Sequence, residues 1–156
     1  MIRIAKLTDY PRIIKFLDQN WKKDHILVRS KELFDWQHKD IENYNFIISI
    51  HEKSLEVTSL FGFIPLNLFD RSLKSKYYYG AIWKSTKQSK PGEGLYLIKF
   101  FLKKFNPLYL GFIGISSDSI FIYKKLGLSI NTLNHFYKVN KSFNDYKIIK
   151  NPKSKI

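Results

Sequence analysis

Cysteine is absent from the 156-residue sequence, and its absence removes several kinds of chemistry at once. Disulfide bridges, a catalytic thiolate and a zinc site built on cysteine are all excluded. Long apolar runs are missing as well, since none approaches the roughly 20 residues that a membrane-spanning helix needs. The N-terminal stretch MIRIAKLTDY is short and amphipathic, and polar residues follow it, so it is unlike a secretory signal. We therefore expect a cytoplasmic domain with no membrane span and no metal site.

Acidic residues are outnumbered by basic ones, because 13 Asp and Glu face 27 Lys and Arg, which gives a formal net charge of +14. Such an excess favours an anionic partner, and nucleic acid, a membrane surface or a nucleotide-like small ligand would each qualify. The basic residues are scattered, however, with no run of five or six in a row. We predict an anionic small-molecule ligand and no specific nucleic-acid site.

The residues that are plentiful predict one packed domain. Hydrophobic residues make up 44% and aromatic residues 17% of the chain, well outside the composition of a disordered segment. Ile2–Lys6 alternates apolar and polar residues as a half-buried strand does. Helical spacing follows at residues 13–21, after a cap at Thr8 or Asp9. The other predicted elements are short helices at residues 31–37 and 120–126, a longer helix at 95–105, and strands at 46–51, 55–63, 77–84, 108–115 and 134–140.

The order of these elements predicts the fold class. The two strands at 46–51 and 55–63 flank a polar turn and form a hairpin. Strand–helix–strand crossovers follow, so we expect an α/β domain with a mixed sheet and helices on both faces. The nearly continuous apolar run at 108–115 predicts a strand covered on both faces.

Two glycines precede the predicted helix at 95–105, where the chain reads KQSKPGEGLYLIKFFLKK over residues 87–104. Glycines at a helix start expose backbone N–H groups at the positive end of the helix dipole, where phosphate binds. The alternative is an ordinary turn in which glycine only relieves strain. The spacing matches neither the phosphate-loop nor the dinucleotide-binding pattern. The candidate anion site is residues 89–95, flanked by Lys84, Lys87 and Lys90.

A second motif, SSDSIFIYKKLGL, covers residues 116–128. With the glycine motif, it resembles the GNAT superfamily of acetyl-coenzyme A-dependent N-acetyltransferases. That family carries [RQ]-x-x-G-x-[GA] before one helix and N-x-x-A-x-x-[LI]-Y-x-x-x-G-F on the next. The glycine positions agree here. The departures are Ser89 in place of Arg or Gln, Ser116 in place of Asn, Ser119 in place of Ala, and Leu128 in place of Phe.

The resemblance implies a GNAT-like, mostly antiparallel sheet in a domain spanning residues 1–140, with a basic tail or linker at 141–156. It implies acetyl-coenzyme A as acyl donor. Backbone groups at the end of the strand 77–84 would hold the pantetheine arm, and the glycine turn would hold the pyrophosphate. Tyr123 would protonate the departing thiolate. The cofactor-binding residues implied are Ile82, Trp83, Lys84, Ser89, Lys90, Gly92, Glu93, Gly94, Leu95, Ser116 and Ser119.

The acceptor implied by the resemblance is a small amine. Aromatic rings beside hydrogen-bonding groups suit a sugar or a nucleotide, and we take Trp36, Gln37, His38 and Tyr79 as substrate-binding candidates. Core packing is the alternative for Trp36. A narrower similarity, to acetyltransferases of bacterial surface-polysaccharide synthesis, would suggest an amino sugar or a nucleotide-linked amino sugar as the acceptor.

No catalytic base is evident, because the strand YYYGAIWK carries no carboxylate. The candidates are His25, His38, Glu56, Asp70 and His135. A catalytically silent module with the same fold is therefore the alternative function, and a homodimer is left open.

Overall fold

The structure is a computed structural model that describes residues 1–73 and 76–134. The chain divides into two compact units, the first from Met1 to Ile115 and the second from Ser116 onward. The first unit contains β1 (Ile2–Lys6), α1 (Tyr10–Asn20), α2 (Ile26–Arg29), α3 (Lys31–His38), β2 (Asn43–Ile50), β3 (Val57–Pro65), β4 (Tyr77–Ser85), α4 (Glu93–Phe105) and β5 (Tyr109–Phe112). The second contains a 3-10 turn (Ser117–Ser119) and α5 (Ile120–Lys125).

Five strands form one sheet within the described residues, in the spatial order β1-β2-β3-β4-β5. Strands β1 to β4 pair antiparallel with their neighbours, and β5 lies parallel to β4. The parallel pair requires a crossover between its strands, and α4 supplies it. The predicted fold class, a mixed and mostly antiparallel sheet, is confirmed.

Alternate residues of β3 show how the sheet is covered. Leu60 belongs to the hydrophobic cluster that α1, α2 and α3 build on one face. The next residue, Phe61, points the other way, as neighbouring residues of a strand do. Its ring and that of Phe63 lie 5.3 and 4.9 Å from the ring of Phe101 on α4. Helices therefore cover both faces, as the sequence predicts.

The turn that joins β1 to α1 is built around Asp9, although not as a simple helix cap. Its carboxylate accepts hydrogen bonds from the Arg3 guanidinium at 2.6 and 2.9 Å and from the Lys6 backbone N–H at 2.8 Å. Asp9 is only 1% exposed. Burial opposes its ionisation, but the hydrogen bonds from Arg3 and Lys6 outweigh burial and lower its pKa. The side chain thus ties the helix start to the first strand.

The predicted strand at 108–115 is wrong in length and in burial. β5 covers only Tyr109–Phe112, and among the described residues it pairs with β4 alone. Tyr109 is 55% exposed, and Ile113, which follows the strand, is 67% exposed. The run is apolar, but β5 has a single strand neighbour within residues 1–73 and 76–134 and exposes Tyr109, so composition overstated its burial.

The second unit begins with the turn Ser117–Ser119 and continues into α5. Gly127 follows the helix with φ of +79°, which confirms the predicted glycine cap. The predicted strand at 134–140, apart from Asn134, and the basic tail at 141–156 lie outside the described residues, and so does His135. No helix in residues 1–73 and 76–134 is long and apolar enough to cross a membrane.

Candidate active site

The parallel pairing of β4 with β5 ends about halfway along β4. Their pairing begins at Tyr77 with Tyr109 and ends at Gly80 with Phe112. β4 continues to Ser85 and stays paired with β3 over that length. On the side of β5, the second half of β4 thus offers backbone N–H and C=O groups with no strand partner among the described residues. Such an edge can pair with an extended ligand.

A bulge interrupts β4 at the point where β5 leaves it. Gly62 of β3 pairs with Ile82 and Phe63 pairs with Gly80, so Ala81 has no partner across the ladder. An extra residue of this kind bends a strand and changes the direction of its backbone groups. The first unpaired groups of β4 are therefore aimed differently from those in the regular ladder.

Gly80 leaves room for the Phe112 side chain at the last paired position of β4 and β5. A Cβ atom on Gly80 would lie only 2.0 Å from Cε1 of Phe112. The Phe112 ring occupies that space and lies 6.2 Å from the ring of Phe61 on the α4 face. The separation of the strands thus begins beside a packed aromatic ring.

The turn between β4 and α4 ends at Gly92, whose φ of +74° lies in the left-handed region. A side chain there would strain the backbone, because L-residues other than Asn and Asp seldom adopt this conformation. The first hydrogen bond of the helix runs from the Tyr96 N–H to the Gly92 carbonyl, at 3.1 Å. The left-handed backbone conformation at position 92 therefore explains why the sequence has glycine there.

Three N–H groups at this helix start have no acceptor in the described part of the chain, those of Gly92, Gly94 and Leu95. The Glu93 N–H is engaged, because it donates to the Lys90 carbonyl at 3.0 Å. Free amides at the positive end of a 13-residue helix form a natural site for phosphate oxygens. The glycine motif predicts exposed amides at this helix start, and the binding of a phosphate there stays a prediction.

Gly94 has a second role in packing. A Cβ on Gly94 would lie 2.6 Å from Oγ of Ser85 and 3.1 Å from Nε1 of Trp83. The Trp83 indole N–H instead donates to the Gly94 carbonyl at 3.0 Å. The missing side chain thus lets α4 approach β4 closely.

The side chains around the turn differ in what they can offer a ligand. The Ser89 hydroxyl donates to the Thr86 carbonyl at 2.6 Å, so it braces the turn itself. Ile82 is 4% exposed, which leaves only its backbone for contact with a ligand. Lys84, Lys87 and Lys90 are exposed. Lys87 and Lys90 lie in the turn that leads into α4, whereas Lys84 follows Trp83 on β4 and belongs to the opposite face of the sheet.

Glu93, the first residue of α4, accepts three hydrogen bonds from hydroxyl groups of the sheet. Ser49 on β2 donates to Oε1 at 2.8 Å, while Thr58 and Ser59 on β3 each donate to Oε2 at 2.8 Å. The Ser59 and Ser85 hydroxyls are hydrogen-bonded to each other at 2.9 Å, and because the single Ser59 proton is given to Glu93, Ser85 is the donor in this pair. Burial opposes ionisation of Glu93, but the three hydroxyl groups prevail and lower its pKa.

The second unit holds the other predicted cofactor-binding and catalytic residues. The Ser116 and Ser119 hydroxyls are hydrogen-bonded to each other, and that of Ser119 also donates to the Ser116 carbonyl at 3.1 Å. Tyr123 on α5 is 6% exposed, and burial raises the pKa of its phenol. A phenol that stays protonated suits the predicted role of proton donor.

The predicted substrate-binding residues do not share one environment. Trp36 is 64% exposed, so core packing is not its role, and its ring lies 4.9 Å from the half-exposed ring of Phe69. Gln37 and Tyr79 are partly buried. His38 is fully buried, with its ring 4.4 Å from that of Phe46. The structure thus places His38 in the hydrophobic core instead of on a binding surface.

The candidate bases are mostly engaged. Glu56 accepts a hydrogen bond from Lys15 at 2.6 Å, and Asp70 accepts one from the Ser72 hydroxyl at 2.6 Å. Nδ1 of His25 accepts from the Leu27 N–H at 3.3 Å, which caps α2. Burial, with help from Lys22 and Arg29, lowers the pKa of His25. None of these contacts singles out a base.

Comparison with known proteins places the fold. No protein-family model matches the sequence, and no curated protein matches it at a significant level. Mosquito arylalkylamine N-acetyltransferase-like 5b has a similar structure, with a TM-score of 0.64, 14% identity and coverage of 85% of this chain and 84% of that one.

Two further solved structures are similar. Glucosamine-6-phosphate N-acetyltransferase from Arabidopsis thaliana has a TM-score of 0.58 and 14% identity, over 90% of this chain and 98% of that one. AAC(6')-Iy, solved with the bisubstrate analogue CoA-S-monomethyl-acetylneamine, has a TM-score of 0.58 and 11% identity, over 90% and 99% of the chains. The chain therefore has the fold of the GNAT acetyltransferases.

Sequence reasoning missed three features of this region: the bulge at Ala81, the passage of Phe112 over Gly80, and the hydroxyl groups around Glu93. The first two depend on strand register, which composition does not reveal. The third had a signal, because Ser49, Thr58 and Ser59 are polar residues within otherwise apolar strands.

Proposed function

We propose that the protein is an acetyl-coenzyme A-dependent N-acetyltransferase. The observation that carries the proposal is the combination, within the first unit, of an unpaired half of β4 and free amides at the start of α4. An extended amide-containing arm suits the strand edge, and a pyrophosphate suits the helix start. AAC(6')-Iy, of similar fold, was solved with a coenzyme A conjugate, which supports the same class of ligand here.

The reaction that fits this arrangement is direct acyl transfer. The neutral amine of the acceptor attacks the thioester carbonyl carbon, the new C–N bond forms, and the C–S bond breaks. The amine nitrogen loses one proton to a base or to water, and the coenzyme A sulfur gains one. We assign Tyr123 as the donor of the proton that the sulfur gains, because burial keeps its phenol protonated. A backbone N–H of the bulged strand would stabilise charge on the carbonyl oxygen.

The acceptor that we favour is an amino sugar that carries phosphate or a linked nucleotide. The exposed ring pair of Trp36 and Phe69 offers an apolar surface of the kind on which sugar rings stack. The net charge of +14 would attract an anionic acceptor. One protein of similar fold is a glucosamine-6-phosphate N-acetyltransferase, which supports the sugar class without fixing it.

Calorimetry and turnover test the proposal in sequence. Acetyl-coenzyme A should bind the purified protein, and a panel of amino sugars, sugar phosphates, nucleotide-linked amino sugars and arylalkylamines should reveal thiol release with at least one. Binding without turnover across the panel would favour the silent module. No binding of acetyl-coenzyme A would refute the proposal.

A further inference from the structure

The side chain of Glu93, at the start of α4, is bound to the sheet. A glutamate in the first turn of a helix is commonly exposed, where its charge meets the positive end of the helix dipole. Here the carboxylate turns to the sheet and accepts the hydroxyl groups of Ser49, Thr58 and Ser59, each at 2.8 Å. Hydrogen bonds to a charged acceptor are about twice as strong as neutral ones.

The hydroxyl donors join the start of α4 to two strands at once. Ser49 belongs to β2, whereas Thr58 and Ser59 belong to β3. β4 adds a third link through the Trp83 indole, which donates to the Gly94 carbonyl at 3.0 Å. The first turn of α4 is therefore held from three neighbouring strands, and the carboxylate of Glu93 is the acceptor for two of them.

This tether matters more here because position 89 of the turn lacks a long polar side chain. Where the GNAT motif prefers Arg or Gln, this chain has Ser89, and its hydroxyl is used within the turn. Binding of a phosphate would then depend mainly on the backbone amides of Gly92, Gly94 and Leu95, beside the exposed side chains of the turn, Lys87, Gln88 and Lys90. Amides bind an anion well only when their directions are fixed in advance.

We propose that Glu93 is a positioning residue: its hydroxyl-bound carboxylate fixes the start of α4 so that the adjacent amides can bind a phosphate group of the acyl donor. The sequence predicts Glu93 as a cofactor-binding residue, and this inference revises that role, since the side chain acts through Gly94 and Leu95. The inference rests on the proposed function for the identity of the ligand. The tether itself is a property of the fold.

Two substitutions at Glu93 separate its hydrogen bonds from its charge. Glu93→Ala leaves three hydroxyl groups without their acceptor and frees the helix start. Glu93→Gln keeps an oxygen that can accept from Thr58 and Ser59, and its amide nitrogen can donate to Ser49. We expect acetyl-coenzyme A to bind Glu93→Ala about 10- to 100-fold more weakly, the usual cost of a small displacement in a binding site. Glu93→Gln should stay within about threefold of the wild type, because its hydrogen bonds persist.

Steady-state kinetics distinguish positioning from a loss of folded protein. Well below the melting temperature, we expect Glu93→Ala to raise KM for acetyl-coenzyme A while kcat at saturating donor and KM for the amine stay near wild type. A merely structural role would lower the concentration of active protein and leave KM for the donor unchanged. Thr58→Val, which removes one donor without a change of shape, should weaken donor binding in the same direction by a smaller factor.

Glu32→Ala is the matched control, because Glu32 is an exposed glutamate in the first turn of α3. Amide exchange measures the tether with no ligand: the Tyr96 N–H, which makes the first bond of α4, should exchange at least about tenfold faster in Glu93→Ala and unchanged in Glu32→Ala. Equal donor affinity and equal exchange in wild type and Glu93→Ala would overturn the inference and leave acetyl transfer standing. Weakened coenzyme A binding in Glu93→Ala without turnover by any form would support the inference and refute acetyl transfer. No binding of coenzyme A by the wild type would overturn both.

Discussion

We expect mild acid to destabilise the protein through one buried side chain, His38. Its ring lies 5.6 Å from that of Phe34 and 4.4 Å from that of Phe46. Neither ring nitrogen reaches a hydrogen-bond partner within the described residues. Burial lowers the pKa of His38 to about 4 from the ordinary 6.5, although the backbone of Phe63 favours the charged form to a smaller extent.

The direction of the effect follows from where protons bind. The unfolded chain takes up a proton on this histidine near pH 6.5, whereas the folded protein resists protonation until about pH 4. The stability associated with neutral His38 is therefore complete above pH 6.5 and is progressively lost as the pH falls to about 4. At about 1.4 kcal/mol per pH unit, the gap between the two pKa values corresponds to about 3 kcal/mol. That is a large share of the roughly 5–15 kcal/mol that holds a typical domain together.

Urea unfolding at several pH values between about 7.5 and 4.5 measures this effect. The unfolding free energy of the wild type should fall more steeply with acid than that of His38→Phe or His38→Leu, by about 2.5 kcal/mol between pH 7.5 and pH 4.5. Two replacements are needed because either one can also change packing. A change in packing shifts the unfolding free energy equally at every pH, whereas protonation of His38 changes it only as the pH falls. Equal pH dependence in wild type and both His38 variants would refute the argument.

Three further predictions test the candidate active site and the packing that supports the fold. Tyr123→Phe should lower turnover by roughly 10²–10⁴-fold with little change in acetyl-coenzyme A affinity, because it removes one proton donor and almost no volume; equal kcat would leave Tyr123 a packing role. Gly80→Ala should cost about 1–3 kcal/mol in urea unfolding, because its Cβ would meet the Phe112 ring, and Phe112→Ala should restore part of that loss; no recovery in the double variant would contradict the contact. Asp9→Asn should cost about 3–5 kcal/mol, because it leaves the partly buried Arg3 without its charged partner; a loss below about 1 kcal/mol would show that the pair adds little.

The elements that sequence predicts well here are those with strong local signals. Alternation gave β1 the bounds Ile2–Lys6, and the glycines and apolar spacing located the start of α4 within two residues. The predicted strand at 77–84 agrees with β4 to within one residue. Local composition was sufficient because each of these segments carries its own pattern of burial.

Features that depend on distant partners were not predictable in the same way. Glu93 looks like an ordinary first-turn glutamate until Ser49, Thr58 and Ser59 are brought beside it by the β2–β3 hairpin. His38 looks like a polar surface residue, and only the arrangement of α3 against β2 buries it. Such placements are set by the packing of whole elements, which a single sequence does not display.

The early end of the β4–β5 pairing has a consequence for solubility. From Ala81 to Ser85, β4 carries backbone groups that have no strand partner among the described residues on that side, and an unpaired strand edge is a template for pairing with a second molecule. A bound ligand arm that hydrogen-bonds along this edge would block such pairing, as an added strand does. Without the ligand, the bulge at Ala81, the charge of Lys84 and the repulsion between molecules of net charge +14 would have to keep edges apart. High salt weakens that repulsion, so we expect the ligand-free protein to aggregate in high salt sooner than the protein with coenzyme A bound.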